Sequence, residues 1–174
     1  MLPLEILDGP FRIKDGITYR QESDEPITGI AELFYGTGQL EERTTYKNGI
    51  KEGPRESFYA DGQLRIKGTY KDGKQEGLVE GFRENGRFWW RGNWKDGKRD
   101  GLVEAFDADG QLETRENFKS GIPEGLHESF YPDGQLKQRG TLKAGEPVGL
   151  WEGFNEAGQV SVRGNFIDGF FQKE

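Results

Sequence analysis

From Gly29 onward the sequence repeats every 24 residues without insertion or deletion, in units that begin at Gly29, Gly53, Gly77, Gly101, Gly125 and Gly149. A fixed short period commits a chain to stacked copies of one supersecondary unit, so the unit decides the fold. Glycine at unit positions 1, 10 and 21, glutamate at position 4 and phenylalanine at position 6 occur in every copy, and position 15 is always Arg or Lys.

The glycine at position 10 follows pairs such as Ala60-Asp61 and Pro132-Asp133. That is the residue order of a type I turn closed by a left-handed glycine, the three-residue β-hairpin loop. With this loop, position 6 lies opposite position 12 and position 4 opposite position 14, so the recurring Phe and Leu share a face; a two-residue loop would separate them. The expected apolar face carries positions 2, 6, 12 and 18, and the opposite, polar face carries positions 3, 7, 11, 13 and 15. Turns at Asn48-Gly49, Asp72-Gly73, Asp96-Gly97 and Asp168-Gly169 join one unit to the next. The expected fold is all-β: an open, elongated, twisted antiparallel meander of hairpins, about twelve strands spanning roughly 55 Å at ~4.8 Å per strand. Residues 1–28 are expected to form a capping region with a hairpin through Asp15-Gly16, ahead of six repeats over 29–172 and a tail at 173–174.

Charge and residue inventory narrow the function classes. A net charge of −7 argues against general binding to nucleic acid or an anionic membrane. With no cysteine and His127 as the single histidine, disulfides, a Cys-His nucleophile and a His/Cys metal cluster are excluded. Two G-x-x-x-x-G-K matches, Gly68 to Lys74 and Gly92 to Lys98, lack the following Ser or Thr and are by-products of the repeat. No enzyme activity, cofactor or metal is expected. The start has acids where a signal peptide needs a basic end, and no stretch approaches membrane-spanning length, so a cytoplasmic location is expected.

Phe88, Trp89, Trp90 and Trp94 fall within seven positions. Phe88 and Trp94 occupy repeat positions that are apolar in the other units, and Trp90 a mixed one. Trp89 stands where the other units have Glu41, Arg65, Glu113, Lys137 and Ser161, and Trp151 is a second outlier on the expected solvent face. With Arg83, Arg87 and Arg91 nearby, Trp89 is either an interface anchor or one half of a surface cation–π pair. His127 shares the repeat position of Trp151 and reads as a surface strand residue. Candidate partner-binding residues are therefore Trp89, Arg87, Arg83, Arg91, Trp151 and His127. The glutamates Glu32, Glu56, Glu80, Glu104, Glu128 and Glu152 should be two strands apart, roughly 10 Å, too far for one shared ion. The expected register puts them on the apolar face, with the position-15 cations on the other. A structural ladder is then the simplest role.

The recurrent G-x-x-E-x-F-x-x-x-G-Q-L, followed by R-G-x-Y-K-x-G-K, resembles the variant MORN repeat. The lead-in DGITYRQESDEPITG resembles the start of bacterial YwqK-like antitoxins. The resemblance implies an immunity protein or antitoxin that binds and occludes a cognate protein toxin. The chain's acidity points to a basic toxin, and a monomeric free chain is expected. The resemblance carries over no fixed binding residues. Departures from the pattern are Arg87 for Gln, Thr44 and Glu116 for Gly, and the Phe170-Phe171 end. Alternatives are a structural scaffold or interaction module of the wider MORN kind, and a carbohydrate- or peptide-binding repeat protein using Trp89 and Trp151.

Overall fold

Two kinds of turn, both written into the repeat, set the strand boundaries. In the first, the Tyr59 N–H donates to the Gln63 carbonyl at 2.8 Å and the Gly62 N–H to the Tyr59 carbonyl at 2.9 Å. Gly62 sits at a φ of 88°. This is the expected three-residue loop. In the second, consecutive residues both have positive φ, as at Asp72 (49°) and Gly73 (79°), the type I′ turn that matches strand twist. The residue before the repeat boundary caps that turn: the Asp72 N–H donates to Glu52 Oε2 at 2.7 Å, and the Ala144 N–H to Glu124 Oε2 at 2.7 Å.

The structure is a computed structural model and describes residues 5–174. The fold is all-β, with no helix among the described residues and sixteen strands, most of them in an open sheet of hairpins. The chain divides into two units, one up to Gly86 and one from Arg87 to Glu174.

The first unit contains β1 (Ile6–Asp8), β2 (Phe11–Lys14), β3 (Ile17–Arg20), β4 (Gly29–Phe34), β5 (Leu40–Lys47), β6 (Ile50–Phe58), β7 (Leu64–Lys71) and β8 (Lys74–Phe82). The β2–β3 hairpin turns at Asp15-Gly16, as expected, and forms its own two-stranded sheet. The lead-in also does something the sequence did not announce: β1 pairs in parallel with β4, Ile6 opposite Ile30, so the sheet is not purely antiparallel. Leu7, Ile27, Ala31 and Tyr46 form a buried cluster with Phe11 packed on it. The Thr18 N–H reaches the Gly49 carbonyl at 2.9 Å, and the Gly49 N–H reaches that of Ile27 at 2.7 Å. The cap is therefore apolar burial plus a few backbone bonds.

The second unit contains β9 (Phe88–Lys95), β10 (Lys98–Phe106), β11 (Leu112–Lys119), β12 (Ile122–Phe130), β13 (Leu136–Lys143), β14 (Glu146–Phe154), β15 (Val160–Ile167) and β16 (Phe170–Lys173), all antiparallel to their sequence neighbours.

The register corrects the expected faces. Phe58 does lie opposite Leu64, but Ser57 pairs with Ile66 and Glu56 with Lys67, because a bulge absorbs Arg65 at position 13. Phe106↔Leu112 and Glu104↔Arg115 repeat the pattern in the second unit. One extra residue reverses the alternation beyond it. Positions 2, 4, 6, 12 and 15 thus share one face, while positions 3, 14, 16 and 18 share the other. Phe88 and Trp94, expected together, are separated, and the glutamates and position-15 cations, expected apart, are brought together.

In the first unit, Arg43 lies 2.7 Å from Glu32 and 3.8 Å from Glu56, and Lys67 lies 2.8 Å from Glu80. In the second, Arg91 holds Glu104 at 2.7 Å, and Arg115 bridges Glu104 and Glu128 at 3.2 and 3.4 Å. Arg139 holds Glu152 at 2.7 Å, while Arg163 lies 3.7 Å from Glu152 and 3.3 Å from Glu174. The same cations cover the phenylalanines: Arg91 stands over Phe88 and Phe106, Arg115 over Phe130, and Arg139 over Phe154, all at 5.5 to 5.8 Å.

On the opposite face, position 3 abuts position 16, and glycine at position 16 makes the room. A Cβ at Gly68 would meet Val79 at 3.1 Å, one at Gly92 would meet Val103 at 2.8 Å, and one at Gly140 would fall on the Trp151 indole. The two departures at position 16 accompany polar partners. Glu116 receives His127 at 2.7 Å, and Thr44 donates at 2.8 Å to Glu42, which pairs with Arg55 at 2.7 Å. Burial alone would raise the Glu42 pKa, but the hydrogen bonds from Arg55 and Thr44 and the Arg55 charge hold it below the ordinary carboxylate value.

Three measurements test this account. Gly140→Ala should lower stability by about 2 kcal/mol through overpacking against Trp151, whereas Gly36→Ala, with nothing within 4 Å, should be near neutral; equal melting curves for both would contradict the packing. Glu104→Ala should cost about 2 kcal/mol, between exposed and buried ion pairs. Adding Arg115→Ala should then cost less than its own single effect, and strict additivity would show that the two do not interact. Because the Glu42 pKa is depressed on folding, its stabilisation is present above the unfolded value of about 4.3 and is lost as pH falls through the lower folded value. Glu42→Gln should therefore be less stable at neutral pH, and the deficit should shrink in acid; a constant deficit from pH 7 to pH 2 would contradict this.

Candidate interaction surface

The ladder face presents apolar side chains that it does not bury. Position 2 faces outward in the second unit, with Leu102 at 36%, Leu126 at 44% and Leu150 at 39% exposure. These leucines were expected in the core. The position-13 bulge and the shifts around the position-1 glycine leave them on the ladder face, one in each successive hairpin, with no layer of structure from their own unit above them. Repetition puts an apolar group at every second strand, a spacing of roughly 10 Å.

Trp89 stands at the bulge position and is 49% exposed, as the repeat comparison anticipates. Its expected companions are otherwise engaged. Arg91 belongs to the ladder, bonded to Glu104. Arg87 lies in the hairpin-loop region and reaches Asp109 Oδ1 at 3.3 Å and the Ala108 carbonyl at 3.4 Å. Arg83 is half-buried in the first unit, its carbonyl accepting from the Gly86 N–H at 2.9 Å. Arg99 stands over Trp94 at 5.9 Å.

Trp151 is a correction. It was expected on the solvent face, yet only 8% of it is exposed. The cause is the reversed alternation, which turns position 3 inward over the glycine of position 16. His127, expected as a surface residue, is half-buried beside it, its ring 5.6 Å from the indole and nearly parallel at 29°. Phe166 meets the indole edge-on at 5.8 Å, and Phe171 follows Phe166 at 5.2 Å. The structure thus brings His127 and Trp151 together as members of one packed aromatic row. Beside this row, Gln138, Trp151, Glu152, Gly153, Val162, Phe166 and Phe171 line a cavity of about 220 Å³. The sequence held a usable sign of it in Val162 and Gln138, which stand at a repeat position occupied by Trp90 elsewhere.

Among the described residues, no cluster of three or more His, Asp or Glu could hold a metal ion.

Comparison with known proteins bears on the repeat. No curated protein matches the chain. Among solved structures, an S. aureus TarM mutant in complex with Fondaparinux, alpha-GlcNAc-glycerol and UDP aligns at 12% identity and a TM-score of 0.38, covering 68% of this chain and 21% of that one. The GtfA/B complex bound to UDP and GlcNAc aligns at 11% identity and a TM-score of 0.26, covering 76% of this chain and 23% of that one. The chain thus spans less than a quarter of either, and scores of this size fall short of a shared overall fold. The MORN repeat variant matches residues 27–48, 51–72, 99–120 and 123–144, which together make half of the chain. Each match runs into a type I′ turn, so the matched segments coincide with the hairpins described above. The chain belongs to the MORN repeat variant family.

Proposed function

We propose that this repeat interaction module serves as an immunity protein or antitoxin, binding one cognate protein toxin and neutralising it by occlusion. The observation that carries the reading is the row of exposed leucines, Leu102, Leu126 and Leu150, on the face that also carries the ion pairs and the phenylalanines they cover. Apolar groups repeated among charges suit a protein partner with an apolar centre and a polar rim. The net charge of −7 favours a basic partner, whose approach it would steer. The lead-in's resemblance to YwqK-like antitoxins supplies the toxin as the partner class. In this reading the chain acts in the cytoplasm and performs no catalysis. The exposed Trp89, with Arg87 beside it in sequence, is a second anchor.

The test begins with affinity capture from the native cell and then uses the captured protein in purified form. The expected result is one stoichiometric partner that arrests growth when expressed alone and not when expressed with this chain. Leu126→Asp should abolish protection, and Trp89→Ala should keep the fold while weakening binding by about 2 kcal/mol. A partner that is harmless by itself would overturn the immunity role but leave the interaction module standing. Full affinity in both variants would move the binding surface elsewhere on the sheet.

A further inference from the structure

The ladder has a gap in the first unit. Elsewhere a position-15 cation grips the glutamate and covers the phenylalanine of the repeat that follows it: Lys67 with Glu80 and Phe82, Arg91 with Glu104 and Phe106, Arg115 with Glu128 and Phe130, Arg139 with Glu152 and Phe154. Glu56 and Phe58 have no such cation among the described residues. Arg43 directs its Nε and a terminal nitrogen at Glu32 and stays 3.8 Å from Glu56, beyond hydrogen-bond reach. Lys67, opposite Glu56 in the register, sits on Glu80 at 2.8 Å. Its ammonium is a point charge that serves one carboxylate here, whereas the guanidinium of Arg115, at the same repeat position, serves both Glu104 and Glu128. The Glu56 side chain is accordingly 37% exposed, against 8 to 18% for the other ladder glutamates.

That carboxylate opens onto a cleft of about 260 Å³ lined by Pro54, Glu56, Lys67, Thr69, Leu78 and Glu80. The register puts these side chains on one face: Pro54 pairs with Thr69, Glu56 and Glu80 both pair with Lys67, and Leu78 lies two residues from Glu80. Two carboxylates and one ammonium leave the cleft a negative charge. Leu78, half exposed, supplies an apolar shoulder beside it. Ligand pockets begin at roughly 300 Å³, so this cleft suits one side chain better than a whole small molecule.

The repeat itself says what fits. The group that satisfies two neighbouring glutamates in the second unit is the planar donor fork of an arginine, and in the first unit Lys67 leaves half of that work undone. An arginine entering from outside would bond Glu56 with its guanidinium and lay its apolar stem along Leu78 and Pro54. We infer that the cleft between Pro54 and Leu78 binds the guanidinium of an arginine side chain presented by a protein partner, with Glu56 as its acceptor. The source of the arginine rests on the reading of this chain as a binder of a basic protein; the affinity for a guanidinium does not, and it is measured without the partner.

The backbone amide resonances of Glu56, Lys67 and Leu78 report on the cleft. N-acetylarginine methylamide, N-acetyllysine methylamide and free arginine are titrated into the intact chain at low salt, where exposed ion pairs are least screened. The capped arginine should give saturable shifts at these residues, with the capped lysine roughly fivefold weaker and free arginine no tighter than the capped form. Glu56→Gln should abolish the response. Lys67→Arg keeps the net charge and places in the cleft the guanidinium that other repeats carry, so it should abolish the response as well. Should Glu56→Gln fail to fold, Lys67→Arg carries the comparison. No saturable shift up to the solubility of the capped arginine would overturn the proposal, as would shifts spread over acidic residues elsewhere, equal binding of the capped lysine, or an undiminished response in folded Lys67→Arg. Tighter binding of free arginine would make this a site for the amino acid and overturn its assignment to a partner's side chain. A captured partner that proves harmless overturns the immunity reading and leaves these titrations unchanged.

Discussion

The pairing of each position-4 glutamate with a position-15 cation is the interaction on which the rest of the sheet depends. In the second unit every strand belongs to one sheet, and no layer of that unit packs across it. The work of a second layer falls to long side chains lying flat over the strands. Arg91, Arg115 and Arg139 each close over a phenylalanine while gripping a glutamate. The glutamates are the buried members and the cations keep one side in water, which limits the desolvation of each pair. Arginine suits the role because its planar fork can span two carboxylates, as Arg115 does between Glu104 and Glu128.

The opposite face follows a different rule, in which size at position 3 is balanced by its absence at position 16. Val79 against Gly68, Val103 against Gly92 and Trp151 against Gly140 are three settings of one contact. Where position 16 carries a side chain, the neighbourhood becomes polar as a group. Glu116 comes with His127, and Thr44 comes with Glu42 and Arg55. Departures from the repeat are thus correlated across strands, as expected when the pair rather than the residue is the unit of sheet stability.

This division assigns different freedoms to the two faces. The ladder face is nearly invariant in chemistry: glutamate at position 4, phenylalanine at position 6 and a cation at position 15 recur in every repeat. The glycine face tolerates anything from alanine at Ala31 to tryptophan at Trp151, provided the partner strand yields. Individual character in a repeat protein collects on the face that can accept it, and here that face holds the cavity.

Much of the architecture was legible in the residues. The 24-residue period, the loop closed by the position-10 glycine, the type I′ turns and the Phe–Leu pair across each hairpin are local matters, settled within a few residues by backbone sterics. The exposure of Trp89 was legible too, since five polar equivalents mark its position. What only the tertiary structure decided was which residues share a face. That turned on the bulge at position 13, whose occupants are polar in five repeats and so leave the same trace as an ordinary solvent-facing strand position. Because side chains alternate with a period of two, one unpaired residue reverses everything beyond it. The reversal carries Trp151 inward, joins Glu104 to Arg115 and leaves Leu126 in water. The parallel pairing of β1 with β4 has the same origin, for a three-residue strand finds its partner through Leu7 meeting the Ala31 and Tyr46 cluster, a contact that exists only once the sheet has formed.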